Sequence, residues 1–127
     1  VFTDHVNNAQ LLAYYRCASM FWCLSDHEGF CVPVIEAMWF DIPVVAYDST
    51  AVGGTMGEAG ILIKDKSRPD FLAESLYEQL SNPSTVAKVI SNQRQRRLHF
   101  LPESNGNNID NLIKTLIRDQ KNNTSKT

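Results

Sequence analysis

At 127 residues the chain has room for one domain with a real core, near the lower end for an enzyme that encloses two substrates. Its 43% hydrophobic and 20% charged residues are those of ordinary globular protein, and its apolar stretches fall far short of the ~20 residues that cross a bilayer. The net charge of −2 hides an asymmetry between the two halves, and without a basic segment followed by an apolar one at its start the chain is expected to lack a secretory leader and reads as cytoplasmic.

Val1-Phe2 reads as the end of a strand, and with no initiator Met the start reads as a cut end. Asn7 caps a helix whose apolar positions Leu11, Leu12, Tyr14 and Tyr15 carry it to about Ala18. Met20 to Leu24 is a short buried strand, and Ser25-Asp26-His27-Glu28-Gly29 is a polar loop. Pro33 is placed as the first residue of a helix running to about Phe40, ended by Asp41 and Pro43. Val44 to Tyr47 is a second buried strand; Gly53-Gly54, Gly57 and Gly60 mark a mobile connection before a third, Ile61 to Ile63. Ser67 to Leu80 is an amphipathic helix with Phe71, Leu72, Leu76 and Leu80 on one face. Pro83 opens another that reaches about Phe100, and a last helix spans Ile109 to Asp119. The alternation predicts an α/β fold, a partial Rossmann-like parallel sheet with helices on both faces and ligands at the carboxyl ends of its strands. Residues 1–120 form the folded unit and 121–127 a disordered polar tail.

Cys17, Cys23 and Cys31 form an odd set without CxxC spacing, which argues against a disulfide framework and a zinc site; they read as buried thiols. Residues 1–63 hold seven acids against Arg16 alone, whereas residues 64–127 hold eleven Lys/Arg against seven acids. Arg94, Arg96 and Arg97 sit in a Gln-rich helical pattern without aromatic or motif support, so they read as a solvated helix face and not as a nucleic-acid surface.

The chemistry gathers between Ser25 and Glu36. The helix after Pro33 is apolar almost all round, and Glu36 is the exception. A carboxylate buried there needs hydrogen-bond donors, which sugar hydroxyls would supply; the plainer reading is an acid in the first helical turn, favoured by the helix dipole. Glu28-Gly29-Phe30 precedes the helix, where unpaired backbone N–H groups seat a phosphate and Gly29 lets the backbone approach closely. Glu28 would be repelled by that phosphate, so a role for it requires a neutral, hydroxyl-rich part of the ligand. A Glu-Gly turn before a helix is also commonplace.

The run Ser25 to Met38, followed by Pro43-Val44-Val45-Ala46, closely resembles the Glu-x7-Glu signature of retaining GT-B glycosyltransferases of family 4. Leu12 to Ala18 resembles the helix before that signature and Gly57 to Leu62 the segment after it, so the resemblance covers about residues 1–100. It implies that Glu28 contacts hydroxyls of the transferred sugar and Glu36 the ribose of the nucleotide. Gly29, Phe30, Cys31 and Val32 match the backbone beside the donor phosphates, and His5-Val6 falls in a loop near the base. The resemblance further implies a nucleotide-sugar donor, front-face transfer with retention, and no metal or separate cofactor. The partners it implies are that donor and a saccharide or lipid-linked acceptor held by an N-terminal domain; the charge pattern and the short apolar runs above give no nucleic-acid partner and no membrane span.

Many relatives have Gly where Cys31 stands, although a subgroup linked to O-antigen and capsule synthesis shares Glu-Gly-Phe-Cys-Val-Pro and makes GDP-mannose the favoured donor. Relatives commonly carry Pro-Glu where this chain has Gly53-Gly54, and the basic residues that clamp their diphosphate lie upstream of the segment that Val1 begins. The leading expectation is a fragment of a glycosyltransferase, inactive alone and prone to self-association through an uncovered sheet edge. The alternatives are a non-catalytic nucleotide- or sugar-binding module and a GT-B epimerase.

Overall fold

The computed structural model describes residues 3–101. The strand end expected at Val1-Phe2, the helix expected from Ile109 to Asp119 and the tail from Lys121 lie outside the described residues. Elements run α1 (Asn8–Cys17), β1 (Phe21–Cys23), α2 (Val32–Trp39), β2 (Val44–Tyr47), α3 (Val52–Met56), β3 (Ile61–Ile63), α4 (Pro69–Ser81) and α5 (Pro83–Arg97), closed by a 3-10 turn at Leu98–Phe100. Asn7 caps α1 as the sequence predicts: its side chain accepts from the Gln10 N–H while Gln10 accepts from the Asn7 N–H, both at 3.0 Å. That reciprocal pair satisfies two amides that would otherwise lack partners.

The three strands form a parallel sheet in the order β1-β2-β3, with Phe21 opposite Val44 and Val45 opposite Ile61. Hydrogen bonding on both sides of β2 explains why a plain apolar run sits there: Val44, Val45 and Ala46 are fully buried. Strand alternation sends Val44 and Ala46 into one core with Tyr15, Val34, Met38, Val52 and Met56. Val45 turns to the opposite face and packs with Ile63 and Leu76. Helices therefore cover both faces, and the α/β class with a partial Rossmann-like sheet is observed.

Three expectations are corrected. The glycine-rich connection is helix α3 and not a mobile link: Val52 and Met56, one turn apart, are both fully buried, and that burial outweighs the poor helix propensity of Gly53-Gly54. Arg96 and Arg97 are not a solvated face. Arg96 donates to the carbonyls of Thr55 at 2.9 Å and Gly54 at 2.5 Å, and Arg97 to that of Met38 at 2.9 Å. They thus cover the carbonyl-rich ends of α3 and α2, where the helix dipoles favour a cation. Cys17, last residue of α1, is exposed while Cys23 is half-buried and Cys31 buried, so only the latter two are core thiols.

Helix α5 also completes the sheet. Gln93, fully buried, accepts from the Val44 N–H at 2.9 Å and donates to the Ile42 carbonyl at 2.7 Å. A buried amide side chain thereby satisfies the backbone where the chain enters β2.

Candidate functional site

The loop after β1 leaves the carboxyl end of the sheet, the edge at which open parallel sheets bind ligands. It is tied there from both sides. Thr50, just past β2, bonds Glu28 twice: its Oγ1 accepts from the Glu28 N–H at 3.1 Å and donates to the Glu28 carbonyl at 2.5 Å. Thr55 of α3 donates to the Phe30 carbonyl at 2.9 Å. Lys66, beyond β3, donates to the Leu24 carbonyl at 3.0 Å, pairs with Asp26 at 2.6 Å and lies 4.3 Å from the centre of the Tyr47 ring. Sequence reading passed over Lys66 and Thr50; the available signal was their position directly after strands, at the ligand edge of a parallel sheet.

Cys31 is the hinge between loop and helix. It stands at the N-cap of α2 with φ 52° and ψ 64°, the left-handed region that favours glycine. Its side chain is buried and its Sγ lies 3.8 Å from that of Cys23. Burial first, then Cys23 and the Glu28 carboxylate, push the Cys31 thiol up to about 12. Glu28 is half-buried. A β-carbon added to Gly29 would meet nothing within 4 Å, so space lies open beside the backbone there. Phe30 is exposed and packs edge-on against Phe100, ring centres 5.3 Å apart. Val32, also exposed, is the first residue of α2.

Because α2 starts at Val32, Glu36 lies beyond its first turn, where no acid is found; the dipole reading of Glu36 is set aside. The donor it needs is a side chain that sequence reading missed. Tyr15 of α1, buried and stacked on Phe40 at 4.9 Å, donates its hydroxyl to Glu36 Oε2 at 2.7 Å. Burial first, then Glu36, raise the Tyr15 hydroxyl far above its ordinary value, and Cys31 adds to the same shift. His5 is exposed and Val6 half-buried in the segment leading into α1; no hydrogen bond among the described residues ties them to the loop. None of the described helices is long and apolar enough to cross a membrane.

With this geometry in hand, the comparisons with known proteins are specific. The chain is 30% identical over 83 residues to an O-antigen chain mannosyltransferase B of Escherichia coli, covering 65% of this chain and 22% of that protein. It is 31% identical over 96 residues to trehalose synthases of Thermococcus litoralis and Pyrococcus furiosus, covering 72% of this chain and 22% of each. The chain thus spans about 22% of the length of the curated relatives it matches. The family described as Glycosyl transferases group 1 matches residues 1–96, which include β1, the loop, α2 and both glutamates, and the chain belongs to that family.

Proposed function

We propose that this chain is the donor-binding part of a retaining GT-B glycosyltransferase of family 4, with Glu28 contacting hydroxyls of the transferred sugar and Glu36 the ribose of the nucleotide. The observation that carries the reading is the pair of glutamates flanking the left-handed Cys31 at the carboxyl end of the sheet. Each carboxylate suits a hydroxyl-rich ligand better than a phosphate, since neither has a cationic partner among the described ion pairs. In the reaction the bond from the sugar's anomeric carbon to the phosphate oxygen breaks, the acceptor oxygen bonds to that carbon on the same face, and the acceptor proton passes to the departing diphosphate. The residues Gly29 to Val32 would flank that diphosphate, and His5-Val6 the base. GDP-mannose is the donor we favour, by likeness to the relative named as an O-antigen chain mannosyltransferase, and surface polysaccharide synthesis the setting. Of the two features that favoured a non-catalytic module, the short length remains, while the glycine pair is helical.

The test is made on the full-length gene product. Glu36→Gln keeps the acceptor for Tyr15 but removes the charge, and is expected to weaken nucleotide-sugar binding roughly tenfold, the ~1.4 kcal/mol of a charge-assisted hydrogen bond. Glu28→Gln is expected to lower kcat roughly a hundredfold with a smaller change in donor affinity. Wild-type kinetics in both variants would remove the assignment.

A further inference from the structure

The fold joins two thiols and a carboxylate that their spacing in the sequence keeps apart. Cys23 closes β1, Cys31 caps α2 and Glu28 lies in the loop between them, and one ligand-capable atom of each lies within 4.8 Å of the other two. The two sulfurs are 3.8 Å apart. Two thiolates held at ~2.3 Å by one tetrahedral zinc ion stand roughly 3.8 Å from each other, so the thiols already sit along one edge of a coordination tetrahedron. A carboxylate oxygen binds zinc at ~2.0–2.2 Å, and a shift of about 1 Å brings Glu28 into the third position. The loop backbone at Glu28 is held by Thr50 on both its N–H and its carbonyl, so such a shift falls to the side chain. Paired core thiols alone would be ordinary packing. Placing a half-buried carboxylate against them is not, because it opposes burial of its own charge and offers the thiols no cation.

We propose that Cys23, Glu28 and Cys31 form a site for one thiophilic divalent cation of the zinc type, bound by two thiolates and one carboxylate with a fourth position open. Binding is balanced by release of the thiol protons: the cation and two thiols give a dithiolate complex and two protons, with no change of oxidation state. The site goes beyond the transferase reading and does not depend on it. Where both hold, an occupying cation takes Glu28 from the sugar hydroxyls, and the two uses of the carboxylate exclude one another.

Cadmium is the probe, because its bonds to thiolate absorb in the ultraviolet and it substitutes for zinc in sulfur-rich sites. Titration of the reduced 127-residue chain is expected to give a thiolate-to-cadmium band that saturates at one equivalent. Cys17→Ser, which removes the exposed thiol, leaves the band unchanged; Cys23→Ser and Cys31→Ser each abolish saturable binding. Glu28→Gln keeps the band and weakens binding roughly tenfold. Circular dichroism shows which variants remain folded, and Cys23→Ser stays decisive if the left-handed position makes Cys31→Ser unfold. No band in the wild type, a band that survives Cys23→Ser, or one lost with Cys17→Ser would overturn the site. The readout is binding and not turnover, so its failure is distinct from failure of the donor assignment.

Discussion

Tyr15 and Glu36 show how a single hydrogen bond links stability to the site. A hydroxyl donated to a carboxylate is worth about 1.5–3 kcal/mol when the partners are shielded, and the half-exposed Glu36 puts this pair at the lower end. Tyr15→Phe retains the ring stack on Phe40 and is expected to cost about 1.5 kcal/mol, read as a lower urea midpoint with an unchanged slope. If Glu36 holds the nucleotide as proposed, the same variant leaves its carboxylate free to turn and is expected to weaken nucleotide-sugar binding in the full-length gene product. An unchanged midpoint would mean that water replaces the tyrosine without loss. Residue types alone showed that a carboxylate in an apolar helix requires a donor. They did not identify one 21 positions earlier in the chain.

At the scale of elements, α5 acts as a clasp on α2. Asp41, just past the end of α2 at φ 55°, accepts two hydrogen bonds from Arg94, at 2.7 and 3.0 Å, and one from Arg97 at 3.0 Å. The Arg94 bonds, and then the Arg97 charge, hold the Asp41 carboxyl below its ordinary value against the opposing effect of burial. A depressed carboxylate stabilises the fold above its unfolded pKa of about 3.9, and that contribution fades as the pH falls through the lower folded value. Asp41→Asn is therefore expected to cost about 1 kcal/mol near neutrality, discounted for the exposure of Arg94. The wild-type and variant unfolding midpoints should converge only once the pH falls below the depressed folded value and the carboxyl is protonated in both states; a gap that persists there would assign the loss to packing. The clasp was hidden in the sequence because Asp41 and Arg94 stand 53 residues apart.

For the whole molecule, the decisive fact is that about 22% of each curated relative is represented. Glycosyl transfer needs donor and acceptor held together, and the rate advantage of that juxtaposition amounts to ~7–11 kcal/mol. The 127-residue chain is accordingly expected to turn over no nucleotide sugar in a product assay with saccharide or lipid-linked acceptors. Formation of a glycosylated product by the purified chain would show that this region holds both substrates by itself.

The strands of the parallel sheet and the helices apart from α3 were legible in the sequence because they follow from local causes: the periods of Val44 to Ala46 and of Leu72, Leu76 and Leu80, the cap at Asn7, and the prolines that open α4 and α5. The run Ser25 to Met38 likewise resembled a glycosyltransferase, and residues 1–96 match Glycosyl transferases group 1. Tertiary structure decided what depends on distance through space. Burial of Val52 and Met56 turned a glycine-rich link into a helix, and docking of α5 drew Arg96 and Arg97 onto helix ends. The left-handed turn at Cys31 set its thiol against Cys23. Local propensity is written residue by residue, whereas a hydrogen bond or a ligand cluster exists only once the chain has brought its distant partners together.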